Sequence, residues 1–269
     1  MRNYLTYPCK VMNITQGYNG SASHKPHTTG SPKDYPWDEA CGNTGRSPMY
    51  CPCDEMKIKR ISTAGTNTIW LESTSKVWLA DGTQAYVTLM VTHPNDSDIK
   101  RLKVGQRFKR GELICYEGID GGATGNHFHF SVGKGKVKSN GWKENSKGKW
   151  VLTCTDGTYK PEALFYIDPE FTTVKKSNGL KFKELPKVEF FPEKGYFKKG
   201  DTDENIGKIA SFMRECFPAY TSRKALGNYY GNYLYAAIKE FKKRTGLTVN
   251  DKIDTKTVAM LEKHGFEKE

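Results

Sequence analysis

Five of the six histidines in this 269-residue chain lie before residue 172, and two of them stand one residue apart in the run Asn126-His127-Phe128-His129-Phe130. Residues two apart on a β-strand share a face. His127 and His129 are therefore expected to project side by side, with Phe128 and Phe130 turned the other way into a core. A strand anchored in this manner holds imidazoles rigidly enough for a metal. A catalytic zinc takes three protein ligands at about 2.0–2.2 Å and keeps its fourth position for water, so one member of the pair needs partners from elsewhere. The candidates are His24 or His27 in SHKPHTTG, and Asp34 or Asp38 in KDYPWDEACG. His93, closing the strand-like run YVTLMVTH, could supply a further base or proton carrier. The helical H-E-x-x-H zinc motif is absent, so no glutamate on a helix is expected to act as the base.

These residues must be positioned by β-structure. Short apolar, β-branched or aromatic runs at Met56 to Ile61, Thr68 to Leu71, Tyr86 to Thr92, Glu112 to Glu117 and Phe128 to Val132 are separated by Gly, Asn, Asp and Ser clusters, the rhythm of an antiparallel β-domain. The Gly-rich stretch Gly118 to Asn126 leads into the histidine strand. From Thr172 to Tyr196, Lys, Pro and Gly are frequent and no period is sustained, which predicts a linker. Beyond it Ile206, Ile209, Ala210 and Met213, and then Leu234, Ala237, Ile238 and Phe241, recur at helical spacing. A third helix is expected to start after Asp254 as N-cap and to bury Val258 and Leu261. The predicted class is α+β multidomain: a catalytic β-domain over 1–171, a linker over 172–196 and a small three-helix domain over 197–269.

Composition narrows the function classes. No run approaches the roughly 18 consecutive apolar residues of a membrane span, so no membrane insertion is expected. Residues Met1 to Gln16 lack the basic start and apolar stretch of a secretory signal. Aromatic residues make up 12% of the chain, enough apolar surface to argue against disorder. The seven cysteines are odd in number, and CPC at Cys51 to Cys53 lacks the paired spacing of a zinc finger; buried or half-buried thiols are the expectation. The net charge is +12. Phe171 to Glu269 has 20 Lys and Arg against 13 Asp and Glu, and Met1 to Glu170 has 22 against 17, so both halves are basic. Such a chain is drawn to polyanions, including nucleic acid and the phosphate-rich polymers of a bacterial wall.

The blocks ITQGY, SH, YPWDEACG, YCPCDEMKIKRI, VTH, LKVGQRFKRGELI and GGATGNHFHFSVG, in that order from Asn13 to about Gly133, resemble the lysostaphin-type zinc metalloendopeptidases of bacteria and phages. The late block is the most specific. The resemblance implies Zn2+ held by His24, Asp38 and His129, with His93 and His127 as the catalytic histidines. The family places its first His only a few residues before the Asp, whereas KPHTTGSPKDYPW intervenes here, so that segment is expected to loop out. His27 with Asp34 is the alternative pair within the insertion.

The C-terminal stripes, LGNYYGNYLYAAIKEFKKRTGL and NDKIDTKTVAML, resemble the small peptidoglycan-binding domain at the ends of many cell-wall hydrolases, with Lys242 where that family has Gln. Tyr229, Tyr230 and Tyr233 are the candidate sugar-stacking residues, and Tyr235 is expected in the core. Together the two resemblances imply a phage or prophage endolysin that cuts peptide bonds in the stem or cross-bridge of bacterial peptidoglycan. It would be made in the host cytoplasm without a signal peptide and act on the wall after release. Its partners would be peptidoglycan and anionic wall polymers rather than nucleic acid, since no basic recognition helix accompanies the charge. The rival reading is a wall-binding protein whose zinc site has decayed, against which all five expected polar positions are present.

Overall fold

A computed structural model describes residues 2–18, 24, 35–41, 45–144, 150–186 and 189–268. The chain divides into two compact units, Met1–Pro186 and Lys187–Glu269.

In the first unit the alternating runs become strands of one eight-stranded sheet. Its order is Thr173–Lys176, Val11–Gln16, Trp37–Glu39, Phe128–Lys134, Val87–Thr92, Thr68–Ser73, Glu55–Ser62 and Arg107–Lys109. All neighbours are antiparallel except the edge pair Val11–Gln16 and Thr173–Lys176, which is parallel. One face carries the main core, where Trp37, Ile58, Ile69, Leu71, Val91, Phe128 and Phe130 are fully buried. The opposite face holds a second, smaller cluster of Trp70, Met90, Leu152 and Cys154, covered by the hairpin Val137–Glu144 and Trp150–Cys154. Trp70 is locked there by donating its indole N–H to the Gly141 carbonyl at 2.9 Å and by an edge contact with Trp142 at 5.0 Å. Among the described residues six thiols are buried and Cys216 is exposed; Cys51 donates to the Phe108 carbonyl at 3.2 Å and Cys154 to that of Gly157 at 2.8 Å.

The expected linker over 172–196 requires correction. Thr173–Lys176 pairs with the edge strand, Lys183–Glu184 lies parallel to Tyr166–Ile167, and the Thr172 hydroxyl donates to the Cys9 carbonyl at 2.9 Å. An open sheet edge offers unpaired backbone groups, and the β-branched pair Thr173-Val174 fits it. The first unit therefore runs on to Pro186. Phe190 and Phe191, also within the expected linker, pack against the core of the second unit.

That second unit contains the helices Glu204–Cys216, Asn232–Arg244 and Thr255–Lys263, whose apolar stripes meet in one core. Asp203 caps the first by accepting from the Asn205 amide at 2.8 Å; Asp254 caps the third by accepting from the Thr257 amide at 2.9 Å and its hydroxyl at 2.7 Å. A feature absent from the helical periodicity is the antiparallel pair Tyr196–Lys198 and Lys252–Asp254. No described helix is long and apolar enough to cross a membrane.

Candidate metal centre

The strand Trp37–Glu39 lies between the N-terminal strand and the histidine strand, in a register that sets His129 directly opposite Asp38. Alternation turns Trp37 and Glu39 into the interior and Asp38 to the other face. Trp37 stacks near Phe130 at 5.1 Å and donates to the Tyr7 hydroxyl at 3.2 Å. Glu39 accepts from the Tyr7 hydroxyl and from the amides of Asn13 at 2.6 Å and Cys41 at 3.0 Å. Burial raises the Glu39 carboxyl to about 7 against these bonds. The three-residue strand is thus pinned from its inner face, and Asp38 is held in place on the outer one.

His24 completes the group. Its Nε2 lies 3.1 Å from His129 Nδ1 and 3.3 Å from Asp38 Oδ1, and His129 Nδ1 lies 2.9 Å from Asp38 Oδ1. Four ligands arranged tetrahedrally about zinc at 2.0–2.1 Å stand about 3.3 Å apart. The three observed separations match the edges of that tetrahedron to within a few tenths of an ångström, and the two-imidazole, one-carboxylate donor set suits zinc. The residues present therefore fit the metal. His24 Nδ1 points to the Gly17 carbonyl at 3.3 Å; because a carbonyl only accepts, Nδ1 carries a proton, and Nε2, which meets His129 Nδ1 and Asp38 Oδ1, is the atom that a metal would take. Burial alone would raise the Asp38 carboxyl, but its bonds to His129 and His24 win and hold it well below the usual carboxylate range. Burial lowers His129, with Asp38 opposing. An ionised carboxylate and neutral imidazoles are the ligand forms a metal needs.

His127 and His93 stand beside this group with ring centroids 4.6 Å apart. His127 Nδ1 donates to the Gly125 carbonyl at 2.9 Å and His93 Nδ1 to the Asp120 carbonyl at 2.6 Å. Each ring thereby keeps Nε2 as its basic atom; that of His127 lies 3.9 Å from Asp38 Oδ1. Burial pushes His93 down to about 4, so it is neutral at ordinary pH. His93 follows Thr92, which sits opposite His129 in the sheet, and its φ of 83° is in the left-handed region. Such a conformation costs a histidine of the order of 1–2 kcal/mol. The His93 amide bond to the Asn67 carbonyl at 3.0 Å and the ring bond to Asp120 hold it there. Gly118 adjoins both histidines. It pairs with His127 through backbone hydrogen bonds of 3.1 and 3.4 Å, and a Cβ at this position would fall 2.1 Å from the His93 carbonyl oxygen.

The structure thus brings His24, Asp38, His129, His93 and His127 together. The alternative pair His27 and Asp34, and the intervening insertion, lie outside the described residues. Sequence reasoning missed the carbonyls of Gly17, Asp120 and Gly125, the buried Glu39, and Asn67, whose amide donates to Asp120 Oδ2 at 2.5 Å and whose side chain donates to the Pro94 carbonyl at 3.1 Å. Backbone acceptors carry no residue-type signal. The Gly-rich stretch marked the place without revealing the reason.

In the second unit Tyr229 and Tyr233 are 59% and 49% exposed, with Lys224 Nζ 5.4 Å from the Tyr233 ring centre. Tyr230 corrects the expectation: it is fully buried and presents no face to a ligand. It lies next to Tyr229 in an extended segment bridged to Gly200–Thr202, where adjacent side chains alternate between outside and inside. Tyr235 is half-buried against the core, and His264, though exposed, sets its ring 5.7 Å from those of Phe217 and Phe241.

Over 138 residues the chain is 36% identical to Morphogenesis protein 1 of Bacillus phage B103, a match that covers 51% of this chain and 33% of that protein. The chain thus spans about a third of the length of that relative. Among solved structures, a zinc containing peptidase from Vibrio cholerae is 20% identical, with a TM-score of 0.33 over 49% of this chain and 36% of the other. The antimicrobial peptidase lysostaphin from Staphylococcus simulans is 17% identical, with a TM-score of 0.32 over 70% of this chain and 58% of its own. No family model matches the chain.

Proposed function

We propose that the first unit is a zinc-dependent endopeptidase that hydrolyses peptide bonds in the stem or cross-bridge of bacterial peptidoglycan, and that the whole chain acts as a phage or prophage endolysin. The observation that carries this reading is the convergence of three metal-donor atoms with two imidazoles whose Nδ1 atoms are bonded to carbonyls, which leaves Nε2 as the basic atom of each. That all five groups are present argues against a decayed site. The phage setting is supported by the similarity to a Bacillus phage protein.

His24, Asp38 and His129 would hold zinc, which when bound supplies a water of near-neutral pKa and polarises a carbonyl. His127 and His93 do the proton work. With Nδ1–H committed to a carbonyl, either ring can take a proton at Nε2 from the attacking water. The ring so charged can hydrogen-bond the developing oxyanion and then release that proton to the leaving amine. The Gly125 and Asp120 carbonyls stabilise the charged ring through the Nδ1–H bond, as a carboxylate does in other histidine pairs. The products are two shorter peptides.

The second unit is read as the wall-binding module. Tyr229 and Tyr233 offer exposed rings for stacking on sugars, and tethering raises the effective concentration of the catalytic unit at an insoluble polymer. The test is metal analysis together with the release of new amino termini from purified cell wall, followed by mass spectrometry of the fragments. About one zinc per chain and new amino termini are expected. A chain that binds no zinc and frees no amino termini would leave only the wall-binding reading.

A further inference from the structure

Outside the metal centre, one cluster of charged side chains faces an open concavity. Arg46, Ser97, Arg101 and Tyr116 line a depression of about 540 Å³. Both guanidiniums are fixed by a single carboxylate, that of Asp98, whose side chain is fully buried. Arg46 bonds Asp98 Oδ2 through one nitrogen and donates Nε–H to the Glu117 carbonyl at 2.5 Å. Arg101 bonds Asp98 Oδ1 at 2.6 Å and donates Nε–H to the Ser97 carbonyl at 3.2 Å. The Arg46 guanidinium also stands 5.8 Å from the Tyr116 ring centre. A guanidinium carries five N–H donors. Among the described residues neither Nη1 has a partner, so both arginines keep donors to spare, with Asp98 paired to both and the buried Glu117 carboxyl a second acid close to Arg46. Asp98 settles the long side chains into defined positions, which removes much of the entropy that surface arginines lose on binding.

The location is as telling as the chemistry. Glu117, whose carbonyl holds Arg46, precedes Gly118, the residue wedged against His93 and hydrogen-bonded to His127. Ser97 follows His93 by four residues. The lining of the depression is thus joined to both imidazoles by short stretches of chain.

Building on the endopeptidase reading, we propose that Arg46 and Arg101 form an oxyanion-binding subsite that holds a free carboxylate of the peptide substrate. Paired guanidiniums match the two oxygens of a carboxylate in geometry and charge. The subsite selects acidic peptides over their amidated counterparts. It acts by binding rather than by chemistry, so its effect falls on KM.

The experiment compares a soluble stem peptide bearing free α-carboxylates with its carboxamide counterpart, on the zinc-loaded full chain and on Arg101→Gln and Arg46→Gln. The parent is expected to prefer the carboxylate peptide by about tenfold or more in kcat/KM, through KM. Arg101→Gln removes the preference while leaving kcat on the carboxamide peptide unchanged; Arg46 still pairs the buried Asp98 carboxylate in this variant, and a thermal melt checks that the fold is kept. A parent with no preference, a preference that survives in both variants, or an equal loss on both peptides would overturn the subsite. If the parent cuts neither peptide, the endopeptidase reading fails separately. Calorimetric titration of the two peptides into the full chain then decides the subsite alone: tighter binding of the carboxylate form, lost in Arg101→Gln, supports it, and equal binding refutes it. Inorganic phosphate added as competitor separates the remaining source of such an anion. Displacement of the peptide by millimolar phosphate, with no difference between the two peptides, would assign the site to wall phosphate instead.

Discussion

Replacing Gly118 by Ala tests the geometry of the two imidazoles more sharply than replacing the imidazoles themselves. The added Cβ would lie 2.1 Å from the His93 carbonyl oxygen, 2.5 Å from Asn95 Oδ1 and 2.7 Å from the Asn95 nitrogen, where ordinary contact begins near 3.4 Å. The two backbones must therefore separate by more than about 1 Å. Neither neighbour can yield by rotating a side chain alone, because the first contact is with a backbone atom. Gly118 is tied to His127 and opposes His93, so the separation widens the space between rings now 4.6 Å apart. A misplacement of about 1 Å costs roughly 100-fold in rate, or about 2.7 kcal/mol of transition-state stabilisation. Overpacking adds about 1–3 kcal/mol of lost stability, which for a unit of this size lowers the melting temperature by several degrees. Zinc content should remain near one per chain, since no ligand is attached to Gly118. The assays are turnover of purified wall, zinc content and a thermal melt. Turnover within twofold of the parent would refute the steric account, and loss of zinc would shift the damage to the ligands.

Three further outcomes are expected. His129→Ala removes a donor atom and should abolish both zinc binding and turnover, whereas His127→Ala should retain most of the zinc and lose about 100-fold or more in turnover; full turnover in His127→Ala would mean the roles are misassigned. Trp70→Ala, which deletes a fully buried ring and its bond to Gly141, should destabilise the first unit by about 3–5 kcal/mol, read as a lower denaturant midpoint. In the second unit the buried Lys242 donates Nζ to Asn250 Oδ1 at 2.6 Å and to the Lys252 carbonyl. Lys242→Met leaves both acceptors without this donor and should cost about 1–3 kcal/mol, with Lys242→Gln less harmful; equal melting of parent and Lys242→Met would remove the lysine from the list of stabilising contacts.

The helical stripes from Ile206 to Phe241 and the Asp254 cap were legible because they depend on spacing within a few residues, where periodicity and capping act. The histidine strand was legible for the same reason: alternation alone separates His127 and His129 from Phe128 and Phe130. The parallel edge pairing of Thr173–Lys176 was hidden, because the partner strand is some 160 residues earlier and nothing in the local composition names it. The inward turn of Tyr230 was hidden as well, since a run of tyrosines does not say which ring the backbone will bury.

The amino-acid sequence by itself therefore determined which groups could do chemistry here, and which elements would carry them. Only the tertiary structure decided which atoms meet. The cross-strand register sets Asp38 opposite His129, the Gly17 carbonyl occupies Nδ1 of His24 and turns Nε2 to the other two ligands, and the Asp120 and Gly125 carbonyls leave Nε2 of His93 and His127 as the basic atoms. The physical reason is range. Residue type and period express energies between near neighbours, whereas register and backbone hydrogen bonds between distant segments follow from how the whole sheet packs.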